Sequence, residues 1–198
     1  MHQEELSQQI KFIQEIDKIK YIQRRTKLFK SERRENDAEH SWHLAMMTLV
    51  LANYADRPID VFKVLKMVLI HDIVEIDAGD IFIFDKVKDH TNTTEERQAA
   101  SRIFGLLPKN QAEEFLSLWE EFEARETDEA KFARSMDRLE PLLQNVSNKG
   151  GTWAEFEVKY HQVCEKQNVH QQISKSIADF ANELIDKIVE QGILEKDA

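Results

Sequence analysis

An all-α bundle folded as a single domain is the fold class this sequence predicts, and three observations lead to it. Glycine and proline are scarce, five and three in 198 residues, which is too little turn punctuation for an all-β chain. Apolar residues recur at three- and four-residue steps in one segment after another, the period of a helix face. A chain of 198 residues that is 41% hydrophobic and 32% charged fits one globular domain with a substantial core, and no repeat, low-complexity tract or long linker marks a second.

The elements follow in order. Residues 4–20 carry Leu6, Ile10, Ile13, Ile16 and Ile19 as one amphipathic helix. A basic segment comes next. Asn36 and Asp37 offer an N-cap to a second helix running to about Tyr54 through Leu44, Met47, Val50 and Leu51. Pro58 separates it from a third helix over 60–76, capped near Asp60. Residues 77–80 read as a turn and 81–91 as a loop or short helix. Thr93 and Thr94 with Glu95 and Glu96 open a helix that ends at Leu107 and Pro108. Residues 109–125 set Phe115, Leu118, Trp119 and Phe122 on one face, as core or subunit seam, with Glu120, Glu121 and Glu123 as a solvated face. Residues 128–147 repeat the pattern, 148–151 break it, and 153–166 and 169–191 finish the chain. Trp153 packs a loop on the domain, and Ile173, Ile177, Phe180, Leu184 and Ile188 close the bundle or a dimer interface.

Composition excludes several functions. A single cysteine, Cys164, rules out an internal disulfide framework and a cysteine zinc ribbon, and no triad-like setting surrounds it. No apolar run spans a membrane, and the first residues lack the basic and apolar regions of a signal peptide, so the expected location is a reducing cytoplasm. The net charge of −10 argues against polynucleotide or membrane binding. That charge is uneven: Lys18 to Arg34 holds eight basic residues and one acid, a local +7 that leaves −17 elsewhere. Such a strip is either a solvated surface or a trap for a small phosphate-bearing ligand.

The third helix carries the sharpest chemical signal. Its sequence is apolar on nearly every side, as for a helix in the middle of a bundle, yet it contains His71, Asp72 and Glu75. Buried charged groups are costly unless they pair or bind metal. His71 and Glu75 are four apart and Asp72 and Glu75 three apart, so the trio shares one side of the helix. The second helix offers His40 and His43, three apart, and paired ligands from neighbouring helices are how bundles build metal sites. Asp137 lies at the edge of an apolar face between Met136 and Leu139. Pro141 lacks the N–H that would bond its carbonyl, so a perturbed helix is expected there. The other histidines, His2, His90, His161 and His170, form no cluster in sequence, which disfavours a two-metal site.

Together these residues resemble the HD-domain superfamily of metal-dependent phosphohydrolases, whose signature is His, then His-Asp, then Asp: here His40, His71-Asp72 and Asp137. The strings Glu39-His40-Ser41-Trp42, Ile70-His71-Asp72-Ile73-Val74-Glu75 with Ala78-Gly79-Asp80, and Met136-Asp137-Arg138-Leu139 look like its 5′-deoxynucleotidase branch, over about residues 15–145. The resemblance selects His40 over His43 as the first ligand and leaves His43 as a supporting or core histidine. It implies Glu75 as the catalytic carboxylate, Asp80 as a nucleotide contact and Arg24 or Arg25 as the phosphate contact. It also implies one divalent ion (Mn, Co, Fe, Ni or Zn, all suited to mixed N/O ligation), a small anionic nucleotide as substrate and a homodimer. A branch member has arginine followed by tryptophan, which helps to sense the deoxyribose; this chain has Arg24-Arg25-Thr26. The expected activity is hydrolysis of (deoxy)ribonucleoside 5′-monophosphates. The alternatives are another nucleotide (a triphosphate, cyclic nucleotide or alarmone) or a non-catalytic regulatory protein stapled by metal.

Overall fold

The computed structural model describes residues 2–85 and 94–196. Its regular elements among these residues are helices and 3-10 turns apart from one two-stranded hairpin. The first helix, α1 (His2–Ile16), tightens into a 3-10 turn at Asp17–Tyr21 instead of running on to residue 20. Its apolar stripe faces outward, with Leu6, Ile10 and Ile13 exposed. Phe12 alone of the helix is buried, edge-on to Phe115 at 5.8 Å.

The basic segment folds into β1 (Gln23–Lys27) and β2 (Arg34–Asn36), antiparallel with Gln23 opposite Asn36. Helical periodicity could not reveal this hairpin, because only Thr26 and Glu35 turn fully inward while most of the charge stays outside. Asn148 and Thr152 donate to the carbonyls of Leu28 and Arg25 at 2.8 and 3.1 Å and moor the hairpin to the bundle.

Asn36 then caps α2 (Asp37–Leu51): its side chain accepts from the Glu39 N–H while Glu39 reaches back to the Asn36 N–H, a capping box at the expected place. The inner face of α2 presents Asp37, His40, Ser41, Leu44, Met47 and Thr48, and a 3-10 turn over Ala52–Tyr54 ends it.

Asp60 caps α3 (Val61–Ile70) as expected, but the predicted helix over 60–76 divides. A 3-10 turn at His71–Val74 follows, then the single turn of α4 (Glu75–Ala78), stopped by Gly79 at φ 76°. At three residues per turn, Glu75 is drawn into line with Asp72. Nor is α3 buried all round, since Phe62 and Leu69 are exposed.

Residues 86–91 of the expected loop, and the proposed capping residue Thr93, lie outside the described residues. The helix α5 (Thr94–Phe104) ends three residues before the expected Leu107, while α6 (Lys109–Ala124) and α7 (Asp128–Ser147) match expectation, except that α7 runs unbroken through Pro141. It is the axis of the fold, burying Phe132, Ala133, Met136, Leu139 and Leu142 and packing against α2, α3 and α6. Glu121 and Glu123 are half-buried rather than solvated; Glu121 takes an ion pair from Lys63 at 2.6 Å.

The tail is more broken than the periodicity suggested: α8 (Gly151–Glu155), α9 (Tyr160–Gln167), a 3-10 turn at Asn168–Gln172 and α10 (Lys175–Glu190). Glu157, at φ 51°, turns the chain between α8 and α9. Trp153 is buried in α8, and Ile177 and Ile188 of α10 close the core while Phe180 stays exposed. No helix among the described residues is long and apolar enough to cross a membrane.

Candidate metal centre

Three elements converge at the middle of the bundle. From α2, His40 places its Nε2 at 3.1 Å from Oδ1 of Asp137 on α7 and 3.9 Å from Oδ2 of Asp72. From the 3-10 turn, His71 Nε2 lies 3.0 Å from Asp72 Oδ1 and 3.7 Å from Asp137 Oδ1. All four side chains are buried. The structure thus brings together every residue of the expected set, across 97 residues of sequence.

Each imidazole turns its Nε2 toward the cluster. His71 gives its Nδ1–H to the carbonyl of Val68 at 3.0 Å, and its buried Nε2 has no hydrogen-bond partner. On His40, Nδ1 lies 3.4 Å from both Glu35 and Glu140 without a hydrogen bond to either, while Nε2 faces the cluster and meets Asp137 at 3.1 Å. A carboxylate behind a histidine is the arrangement that orients and strengthens a metal-binding imidazole. Two imidazole nitrogens and two carboxylates in a buried space fit a divalent cation of mixed N/O preference, and the orphaned Nε2 of His71 is what such an ion would satisfy.

The same carboxylates set the protonation of the site before any metal is bound. Burial pulls the pKa of His71 down, but Asp72 and Asp137 outweigh it and hold it at about 9. Burial and Arg24 also depress His40, yet the carboxylates of Asp137, Glu140 and Glu35 beside it raise it well above the usual value. Burial would raise Asp137, but Arg138 and Arg134, then the two histidines, hold it well below the carboxylate range. Asp72 is likewise kept low against its burial by His71 and Arg24.

A second carboxylate group adjoins the first. Asp37, Glu75 and Asp80 bring oxygens within 4.8 Å of one another. Burial, then Asp72 and Asp37, push Glu75 well up; burial and Asp72 raise Asp37 to about 6. Between the two groups lies Arg24, whose Nη1 reaches Asp72 at 2.8 Å and Asp37 at 3.3 Å while Nε lies 3.4 Å from Glu35. Arg25 instead lays its guanidinium over the Phe156 ring at 5.8 Å.

A cavity of about 410 Å³ opens onto this centre, lined by His71, Asp72, Asp137, Glu75, Asp80 and both arginines. Trp119 and Phe122, taken from sequence as core or subunit seam, are core residues that also line it; Phe122 packs on His71 at 5.0 Å. His43 stands behind the centre, 3.1 Å from Glu140, in a supporting place.

Sequence reasoning missed Glu35, Asp37 and Glu140. For Glu140 a signal existed: it follows Asp137 by three and precedes Gln144 by four, so all share one face of α7, and Gln144 donates to both glutamates. Glu35 was hidden by the arginines before it.

Residues 16–178 match the HD domain family. Among curated proteins the chain is 28% identical over 153 residues to the mouse (Mus musculus) 5′-deoxynucleotidase HDDC2, covering 74% of this chain and 75% of that protein. It is 33% identical over 117 residues to the 5′-deoxynucleotidase hdd1 of Schizosaccharomyces pombe, covering 57% and 58%. A crystal structure of a predicted metal-dependent phosphohydrolase from Magnetospirillum magnetotacticum superposes with a TM-score of 0.91 at 47% identity, covering 98% of this chain and 97% of that one. With the His40, His71-Asp72 and Asp137 convergence in place, this chain belongs to the HD domain family.

Proposed function

We propose that the protein is a metal-dependent 5′-nucleotidase that hydrolyses nucleoside 5′-monophosphates, deoxyribonucleotides among them, to nucleoside and phosphate. The observation that carries this reading is the four-residue convergence opening onto a cavity beside Glu75. A purely structural metal would have its coordination closed by protein, whereas three of the four residues here also line a cavity.

In this reading His40, His71, Asp72 and Asp137 hold the ion. When bound, such an ion polarises a phosphoryl oxygen and acidifies water. Glu75 Oε2, buried and without a hydrogen-bond partner, takes the proton of the attacking water as its oxygen bonds to phosphorus. The P–O5′ bond breaks, and Glu75 returns that proton to the leaving oxygen. Asp80 accepts a sugar hydroxyl, and Phe82 and Phe84, packed at 5.4 Å on the cavity wall, offer an apolar surface to the base. Arg25, not committed as Arg24 is to three carboxylates, reaches the phosphate. Phosphate release from a panel of 5′-, 3′- and cyclic nucleotides by metal-loaded protein tests the proposal: 5′-monophosphates should be turned over first, and no release from any of them would end it.

The pKa values set a pH dependence. His71 is protonated in the metal-free protein up to about pH 9, against an ordinary 6.5. An incoming metal must displace that proton, so apparent affinity is expected to rise with pH until about 9 and to level off above it. Without metal the sign for stability is opposite: the charged histidine stabilises fully below 6.5, and that contribution fades as pH rises through 9. Calorimetric metal titrations and melting curves across this window check both.

The homodimer belongs to the same reading. On α2, Trp42, Met46, Leu49 and Val50 repeat at helical spacing and are 42–67% exposed, a better seam than the buried Trp119 and Phe122. Val50→Glu is expected to convert a dimer to monomer in light scattering, with helical content unchanged.

A further inference from the structure

Two arginines of α7 have no part in the mechanism so far. Arg134 and Arg138 flank Asp137 one turn apart, and both direct a guanidinium nitrogen at the same atom, Oδ2, at 2.9 and 3.5 Å. The other oxygen of Asp137 faces the histidines. Among the described residues Asp137 is the only carboxylate within ion-pair distance of either arginine. Each guanidinium has five N–H donors, so most are unspent, and both side chains line the cavity while being only 16% and 13% exposed. Phe122 fixes Arg134 from beneath, with the guanidinium 5.7 Å above its ring. Further cations, Arg125 and Lys166, line the cavity as well, together with Glu96, Glu123 and Glu165, and Glu123 lies 3.9 Å from Arg125.

A nearly buried pair of guanidiniums sharing one carboxylate oxygen is short of negative charge. The shortage grows if Asp137 also serves a divalent ion, because its charge is then divided further. What corrects it is an anion of fork-matching geometry arriving from the cavity.

We propose that Arg134 and Arg138 clamp the substrate's phosphate on the Asp137 side of the centre, in addition to the contact from Arg25. Arg24, bound to Glu35, Asp37 and Asp72, serves instead to hold those carboxylates in place. The clamp rests on the nucleotidase reading but is tested apart from it, by direct titration of metal-loaded protein with inorganic phosphate. Removing one charge-assisted contact should weaken phosphate about tenfold or more in Arg134→Met, with the KM for a nucleoside monophosphate rising by a similar factor and kcat moving less. Arg134→Lys keeps the charge without the fork and should recover part of the loss. Bound-metal content verifies that Asp137 is undisturbed. Should Arg138→Met lose metal, the two Arg134 variants decide the matter. Equal phosphate affinity in wild type, Arg134→Met and Arg134→Lys overturns the clamp, even if nucleotides are hydrolysed. If the wild type hydrolyses none of them, the phosphate titration still reads out, and the two failures stay separate.

Discussion

Glu75→Gln is expected to lower kcat for nucleoside monophosphates by about 10²–10⁴-fold, the range for loss of a general acid–base group, while bound metal stays at the wild-type level. The amide keeps the shape of the side chain but cannot exchange a proton. Its place makes the result specific: Glu75 is one 3-10 turn beyond Asp72, is grouped with Asp37 and Asp80, and is not among the four converging side chains. Metal content by mass spectrometry beside steady-state kinetics separates lost chemistry from a lost ion. A variant that keeps both its metal and its rate removes Glu75 from the mechanism.

Arg24→Met is expected to destabilise the metal-free protein by about 3–5 kcal/mol, the cost of leaving buried charges without their partner. Its guanidinium lies within 3.4 Å of Asp72, Asp37 and Glu35, and all three are buried. For a domain of this size the melting temperature should fall by on the order of 10 °C. The loss should shrink once metal is bound, because the ion's charge then faces Asp72 and replaces part of what the arginine supplied. Calorimetry of both proteins, with and without metal, reads this directly. An equal loss in the two states would mean that the arginine and the ion do not share an electrostatic task.

How much of the site is legible in the sequence follows from the range of the interactions. His71, Asp72 and Glu75 stand out because charge in an apolar helix is visible within one segment, and His40 and Asp137 because resemblance supplies the pairing that local spacing cannot. The caps at Asn36 and Asp60 are legible for the same local reason: side chain and backbone partner are two or three residues apart. The resemblance implies Arg24 or Arg25 as the phosphate contact, and the engagement of Arg24 with carboxylates 11–48 residues away becomes visible only with the hairpin of β1 and β2. Glu35 and Glu140, 105 residues apart, meet behind His40 through tertiary packing alone. The division of the third helix leaves no mark in hydropathy, because 3-10 and α turns bury the same apolar residues. Outward-facing Leu6, Ile10 and Ile13 show the converse, a helical period that says where a stripe is but not what covers it.

The mechanism depends above all on one divalent ion sitting among His40, His71, Asp72 and Asp137. Anomalous diffraction from crystals of the protein loaded with cobalt or manganese tests this most directly. The expected result is a single strong peak within about 2.0–2.3 Å of nitrogen atoms from both histidines and oxygen atoms from both aspartates, with coordination positions open towards the cavity. A peak elsewhere, or an ion whose shell is closed by protein on every side, contradicts it.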